Sequence, residues 1–133
     1  MHECRFCNLA KQMELENCFG TVFAVLDGFP VTPMHWLVIP FRHCDDYFSL
    51  TPQEKLDTDA AFGALRSRVL LEDPGVSGFN LGWNCGISAG QTVMHAHGHF
   101  IPRRVGDVTN PRGGVRGVVP QKQQYFEPGE LLR

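Results

Sequence analysis

No stretch of this chain is apolar for long enough to cross a bilayer. The longest such run, Trp36-Leu37-Val38-Ile39-Pro40-Phe41, falls far short of the roughly 20 residues a spanning helix needs. No positively charged segment precedes an apolar one near the N-terminus, so a secretory leader is not expected. Basic excess is missing as well. Lys and Arg number 12 against 14 Asp and Glu, a net charge of −2, which removes the electrostatic footprint of a DNA-binding protein. Arg112-Gly113-Gly114 is one unrepeated copy of an RNA-binding-like triplet, too little to imply a nucleic-acid partner. The five cysteines are an odd number and fit a disulfide framework badly. A reduced, cytoplasmic compartment is the expectation, with thiols available to a metal. Internal repeats are absent, and so is the Gly-Lys-Ser/Thr of a Walker phosphate loop.

What remains is ordinary globular material. The chain has 133 residues, 43% hydrophobic and 20% charged, enough for one core and one domain. Phe19 to Leu26 reads as a strand from its aromatic and β-branched content, and Asp27-Gly28-Phe29-Pro30 as a turn. Trp36 to Ile39 is a short buried strand. Thr51, Pro52 and Glu54 form a helix start with a capping box, and Ala61, Phe62, Leu65 and Val69 repeat at helical spacing until Asp73-Pro74-Gly75. Phe79 to Asn84 and Val93 to Ile101 are two further strands, with a glycine loop at 86–90 between them. Val115 to Val119 is expected as an edge strand. Strands outnumber helices and short turns join them, which predicts an α+β domain with an antiparallel sheet.

The most informative segment is His95-Ala96-His97-Gly98-His99-Phe100-Ile101. On a strand, side chains alternate with period 2, so the three imidazoles are expected on one face. Three imidazoles make a poor core face, because each ring needs partners. Residues 95 and 99 lie about 13 Å apart along a strand, so one ion is hard to share among all three, although an adjacent pair could hold one.

The segment resembles the histidine triad (HIT) superfamily of nucleotide hydrolases and transferases. Residues 27–40, Asn84 and the run Ala89-Gly90-Gln91-Thr92-Val93-Met94 resemble the stretches that flank that motif. The likeness spans roughly residues 4–105. Met34 stands where glycine is frequent in the family, Gly98 and Ala96 where bulkier residues are common, and Thr92 where serine is. The resemblance implies a five-stranded antiparallel sheet with one main helix and short additional helical turns. It also implies a two-fold homodimer and a small-molecule nucleotide substrate. The single domain 1–133 then divides into a metal knuckle at 1–10, a catalytic core at 11–105 and a tail at 106–133. The tail is expected near a partner subunit's site.

An imidazole with an ordinary pKa near 6.5 is mostly neutral at pH 7 and carries a free lone pair, so it can attack phosphorus without a separate strong base. The resemblance assigns this role to His97, with a backbone carbonyl holding its other nitrogen. His99 is then a donor to phosphate or leaving group, and His35 backs the triad; a satisfied core histidine is the plain alternative for His35. Gly90 lets the chain approach a phosphate, while Gln91 and Thr92 address the bridging oxygen and Asn84 orients the phosphate side. Asp27 can accept from both ribose hydroxyls, or be only a turn aspartate. A purine nucleotide carrying a phosphate-linked leaving group is the implied substrate. Dinucleoside polyphosphates, nucleoside phosphoramidates and acyl-adenylates all fit.

Cys4-Arg5-Phe6-Cys7 reads by itself as a redox pair, a zinc knuckle or a coincidence, and its place at the N-terminus weakens the redox reading. Structural zinc needs four Cys or His ligands, and with no second Cys-x-x-Cys the others must be histidines. The resemblance to HIT proteins with an N-terminal cysteine knuckle points to His43 and His95 as those ligands of a structural zinc. His2 is a rival by proximity.

Overall fold

The computed structural model describes residues 3–125; His2 and the end of the tail lie outside them. Seven regular elements form the domain. The first is a short helix α1 (Arg5–Ala10), followed by strands β1 (Cys18–Phe19), β2 (Val22–Leu26) and β3 (Trp36–Pro40). The long helix α2 (Pro52–Glu72) precedes strands β4 (Val76–Trp83) and β5 (Gly98–Arg104). The strands make one sheet in the order β1-β2-β3-β5-β4. Every neighbouring pair is antiparallel. The expected α+β class, with five antiparallel strands, one main helix and short helical turns, is what the chain adopts.

Helix α2 begins where its capping residues say it should. The Thr51 hydroxyl accepts from the Glu54 amide at 3.1 Å, and the Glu54 carboxylate accepts from the Thr51 amide at 2.8 Å. The same carboxylate holds Arg42 through two N–H···O bonds of 3.1 and 2.8 Å. Below the cap, Ala61, Leu65 and Val69 are buried against Val22, Ala24, Val38 and Phe100 of the sheet. Truncating Leu65 to alanine would cost about 2–5 kcal/mol. No helix among the described residues is long and apolar enough to cross a membrane.

Two strand expectations shift. The single strand expected over residues 19–26 is a β1–β2 hairpin, because Gly20 turns the chain at φ +59°. Asp57 of α2 secures that turn, accepting from the Thr21 amide and hydroxyl at 2.8 and 2.6 Å. The strand expected over 93–101 begins only at Gly98 and continues to Arg104. Residues 91–97 are held outside the ladder, with the Ala96 amide bonded to the Cys44 carbonyl at 2.8 Å. The edge strand expected at Val115–Val119 is absent. A 3₁₀ turn over Gly114–Val118 takes its place, entered through Gly113 at φ +89° and Gly114 at φ +49°, values that interrupt an extended run.

The second face of the sheet carries the site. At one end α1 and its N-cap residue cover it, with Cys4 and Phe6 packed on Phe23, Leu37 and Ile39. At the other end lies the 3₁₀ turn of the tail, against β4. Between these two covers the sheet is open.

Candidate active site

The opening is a cavity of about 500 Å³. Its floor is a row made by His97, one residue before β5, and by His99 and Ile101 of β5, flanked by Asn80 and Gly82 of β4. Register explains the row: His99 pairs with Gly82 on one side and Leu37 on the other. Asp27 and His35 enter from the β2–β3 connection, and Asn84, Gly90 and Thr92 from the loop before the triad. Arg5 and Phe6 wall the α1 end, while Val115 and Val118 wall the tail end. The described part of the tail thus borders its own chain's cavity.

The rings are held in defined tautomers. The Val31 amide donates to His35 Nδ1 at 3.0 Å, so the neutral His35 ring carries its proton on Nε2. That nitrogen lies 2.9 Å from His99 Nδ1 and donates to it. His99 therefore keeps its own proton on Nε2, as a fixed neutral donor. Asp27 Oδ2 stands 3.4 Å from His35 Nε2 and 4.0 Å from His99 Nδ1, and its Oδ1 accepts from the Phe29 amide at 2.8 Å. His97 Nδ1 lies 2.9 Å from the His95 carbonyl, which can only accept. The proton is on Nδ1, and Nε2 is left with a lone pair.

Burial depresses all three pKa values by disfavouring the charged ring. For His35 the desolvation outweighs the opposing pull of Asp27. For His97 it outweighs the carbonyl bond and Asp27. His99 is pushed down to about 4, by desolvation first and then by the neighbouring His97 and His35. The site at pH 7 is a set of neutral imidazoles with fixed donors and one free lone pair.

Gln91 is placed differently from the other expected residues. Its amide is buried inside the loop, with Oε1 accepting from the Gly86 amide at 2.8 Å. Its Nε2 donates to the Asp45 and Val93 carbonyls at 2.6 and 3.0 Å. It shapes the loop that presents Gly90 and Thr92, and its side chain does not line the cavity. Gly90 takes φ +93° at the end of a 3₁₀ turn, a conformation suited to glycine.

His95 is fully buried and belongs to a second cluster. Period 2 predicts it beside His97 and His99, but both His95 and His97 precede the strand, and only His97 stays on the cavity side. Its Nε2 donates to the Pro40 carbonyl at 2.8 Å, which swings the ring toward the end of β3. Its Nδ1 then faces Cys4 Sγ at 3.4 Å and Cys7 Sγ at 3.5 Å. Cys7 Sγ lies 3.3 Å from His43 Nδ1. All four donor atoms lie within 4.8 Å of one another. A tetrahedral zinc with Zn–S of about 2.3 Å and Zn–N of about 2.0–2.1 Å sets S···N edges of about 3.5 Å. Cys4, Cys7, His43 and His95 therefore fit zinc in donor type and spacing. Asp27, His35 and His99 are comparably close, but the His35 nitrogen facing the others already carries a proton and has no lone pair to give.

Several lining residues escaped the sequence reading. Arg5 lay inside the Cys-x-x-Cys, which was read for its thiols alone. Trp83 answers Gly98: a Cβ on residue 98 would come within 2.7 Å of the indole. The small residue noted at 98 was the available signal that a large one covers it.

An open five-stranded antiparallel sheet, backed by one long helix and carrying paired imidazoles in a cavity on its other face, defines the histidine-triad class of α+β domain. The chain belongs to the HIT family: residues 18–106 match the family model described as the HIT domain. A protein named AP-4-A phosphorylase from Mycobacterium tuberculosis is 38% identical over 103 residues, covering 75% of this chain and 52% of that protein. The chain thus spans about half the length of that relative. A HIT family protein from Bacillus anthracis has a crystal structure that superposes with a TM-score of 0.69 at 36% identity, over 79% of this chain and 76% of that one. A crystal structure titled as a Zn-bound histidine triad family protein from Mycobacterium smegmatis gives a TM-score of 0.61 at 33% identity, over 81% and 80%.

Proposed function

We propose that this protein is a nucleotide hydrolase that cleaves the α-phosphate linkage of a purine nucleotide through a covalent intermediate on His97. The observation that carries the reading is the 2.9 Å contact between His97 Nδ1 and the His95 carbonyl. It commits the proton to Nδ1 and the lone pair to Nε2, on a ring that lines the cavity. The name of the mycobacterial relative, AP-4-A phosphorylase, supports nucleotide cleavage in general.

His97 Nε2 attacks the α-phosphorus. The N–P bond forms as the bond to the leaving group breaks, and the leaving group departs with the electron pair. The ring becomes a nucleotidyl-imidazolium whose Nδ1–H stays bonded to the carbonyl. Water then attacks phosphorus and loses a proton to solvent, while the N–P electron pair returns to Nε2 and a mononucleotide is released. His99 contributes its Nε2–H to a phosphoryl oxygen, where charge-stabilising donors count most. His35 is a positioning residue, because it acts by fixing the tautomer of His99. Gly90 and Thr92 add donors on the loop side, and Asn84 orients the phosphate. Asp27 accepts from the ribose hydroxyls, and Leu37 and Phe29 offer apolar surface to the base.

Zinc on Cys4, Cys7, His43 and His95 belongs to the same proposal as a structural group, supported by the fit of donors and spacing. It ties the N-terminus to the loop that carries the triad and takes no part in proton or phosphoryl transfer. The two-fold dimer implied by the family is likewise proposed, and sedimentation equilibrium checks it.

A turnover panel tests the function. Diadenosine tetraphosphate, adenosine 5′-phosphoramidate and an aminoacyl-adenylate are each supplied, with and without inorganic phosphate. Release of AMP from at least one of them is expected. ADP appearing in place of AMP when phosphate is present would make phosphate the acceptor instead of water. Tight nucleotide binding with no cleavage of any of the three would contradict the enzyme reading and leave a nucleotide-binding protein.

A further inference from the structure

Arg5 is the second residue of the Cys4-to-Cys7 knuckle. It is the only Arg or Lys among the described residues that line the cavity, and Asp27 is the only carboxylate there. It is exposed, and no carboxylate among the described residues pairs with it; its guanidinium carbon lies 5.4 Å from the centroid of the Phe6 ring, and its charge acts on His97. Arg5 also borders a neighbouring groove of about 430 Å³, which runs past Glu3, Asn8 and Met94. The cavity and this groove share three residues, Arg5, Thr92 and Val93. The junction thus lies at the loop end of the site, one residue from Gln91 and two from Gly90.

We infer that Arg5 is the specificity residue for an anionic leaving group, holding the phosphates beyond the α-phosphate as they pass Thr92 into the groove. This rests on the cleavage reading above and narrows its substrate class to dinucleoside polyphosphates. Three observations converge. A guanidinium with no carboxylate partner among the described residues is suited to phosphate oxygens, which it can meet in bidentate fashion. The position fits, because a chain leaving the α-phosphate beside Gly90 and Thr92 meets Arg5 next. The chemistry of the site fits as well. A polyphosphate departs as an anion and needs no proton, whereas an amine must take one up. His99 is a neutral donor in a hydrogen-bond chain that starts at a backbone amide, so no proton supply stands behind it. Glu3 in the groove disfavours a run of phosphates long enough to reach it, and an uncharged nucleoside following a short run escapes that repulsion. The knuckle then has a second consequence. A metal fixing Cys4 and Cys7 also fixes where Arg5 begins.

The test compares the unmodified protein with Arg5→Gln and Arg5→Lys. The ratio of kcat/KM on diadenosine tetraphosphate to kcat/KM on adenosine 5′-phosphoramidate is expected to fall about ten- to a hundredfold in Arg5→Gln, the range for a hydrogen bond to a charged group. Arg5→Lys should recover most of that ratio. Calorimetric binding of ATP and AMP gives an answer independent of turnover. ATP should bind more tightly than AMP to the unmodified protein, with the advantage shrinking at least fivefold in Arg5→Gln. Zinc content should be equal in all three proteins, which separates the loss of a cation from damage to the knuckle. An unchanged ATP-to-AMP affinity ratio in Arg5→Gln would overturn the inference, whatever the kinetics. If none of the substrates is cleaved but the binding ratio still shifts, the hydrolase reading fails and the phosphate contact stands.

Discussion

Two histidine clusters share one short segment of chain and are prepared for opposite work. In the buried cluster, His95 gives its Nε2–H to the Pro40 carbonyl, so the nitrogen facing Cys4 and Cys7 is bare. In the cavity, His35 receives the Val31 amide on Nδ1, so the nitrogen facing His99 and Asp27 is protonated. Residue type and proximity are similar in both. What separates a ring able to ligate a metal from a hydrogen-bond relay is the backbone group at the far side of the ring, a carbonyl in one case and an amide in the other. His97 follows the carbonyl rule too, but its bare nitrogen belongs to a ring that lines the cavity, as the proposed nucleophile requires.

The largest effect should come from the ring whose lone pair is free. His97→Ala is expected to lower turnover by about 10⁴-fold or more, since the covalent route disappears. AMP binding should stay within about tenfold, and zinc content should be unchanged. Calorimetry and steady-state kinetics on one preparation read both. The proposed zinc cluster should respond in stability instead. Cys4→Ala/Cys7→Ala is expected to lose the zinc and at least about 3 kcal/mol of folding stability, because metal binding is partly folding free energy. Elemental analysis with thermal denaturation checks it, and full zinc retention in this variant would break the comparison on that side.

Acid offers a third test. An unfolded histidine titrates near 6.5, while the His99 pKa is pushed down to about 4. A depressed histidine contributes stability that is fully present above about pH 6.5. That stability declines as pH falls from there toward about 4, since only the unfolded chain takes up the proton in that window. His99 is 24% exposed on its side chain, and the decline from this ring amounts to roughly 3 kcal/mol. His35 and His97 act in the same direction. Denaturant titrations between pH 7 and 4 should show the fall, and a flat profile would count against neutral rings. The smallest effect belongs to His35, which acts at one remove. His35→Ala should lower kcat about ten- to a hundredfold with KM little changed, less than the roughly 10²–10³ of a direct oxyanion donor. His35→Gln, with an acceptor and a donor on one amide, should restore part of it.

The sequence made most of this legible wherever chemistry is written locally. The Thr51–Glu54 box located α2, and the resemblance grouped Cys4, Cys7, His43 and His95 although 91 residues separate the first and last. It failed where tertiary contacts overrule periodicity. Alternation put His95 on the same face as His97 and His99, but the Ala96–Cys44 and His95–Pro40 bonds take that stretch out of the ladder. Val115 to Val119 has strand-like side chains, but the glycines before it enter a 3₁₀ turn. Met34 stands at a position where the family often has glycine, and it adopts φ +66°. Its partly buried side chain packs against the core, which gives the strained backbone an offsetting contact. Arg5 could not be placed from the sequence, because its companions Thr92 and Val93 are 87 and 88 positions away and meet it only through the folded knuckle.

The central claim is that, of the five imidazoles in these two clusters, only His97 presents a free lone pair to substrate. Mass spectrometry of protein quenched in the millisecond range with diadenosine tetraphosphate, kept at a pH where phosphoramidate bonds survive, tests it most directly. A single AMP adduct mapping to His97, and absent from His97→Ala, is the predicted result. An adduct on His99 or His35, or rapid turnover with no adduct and undiminished activity in His97→Ala, would contradict it.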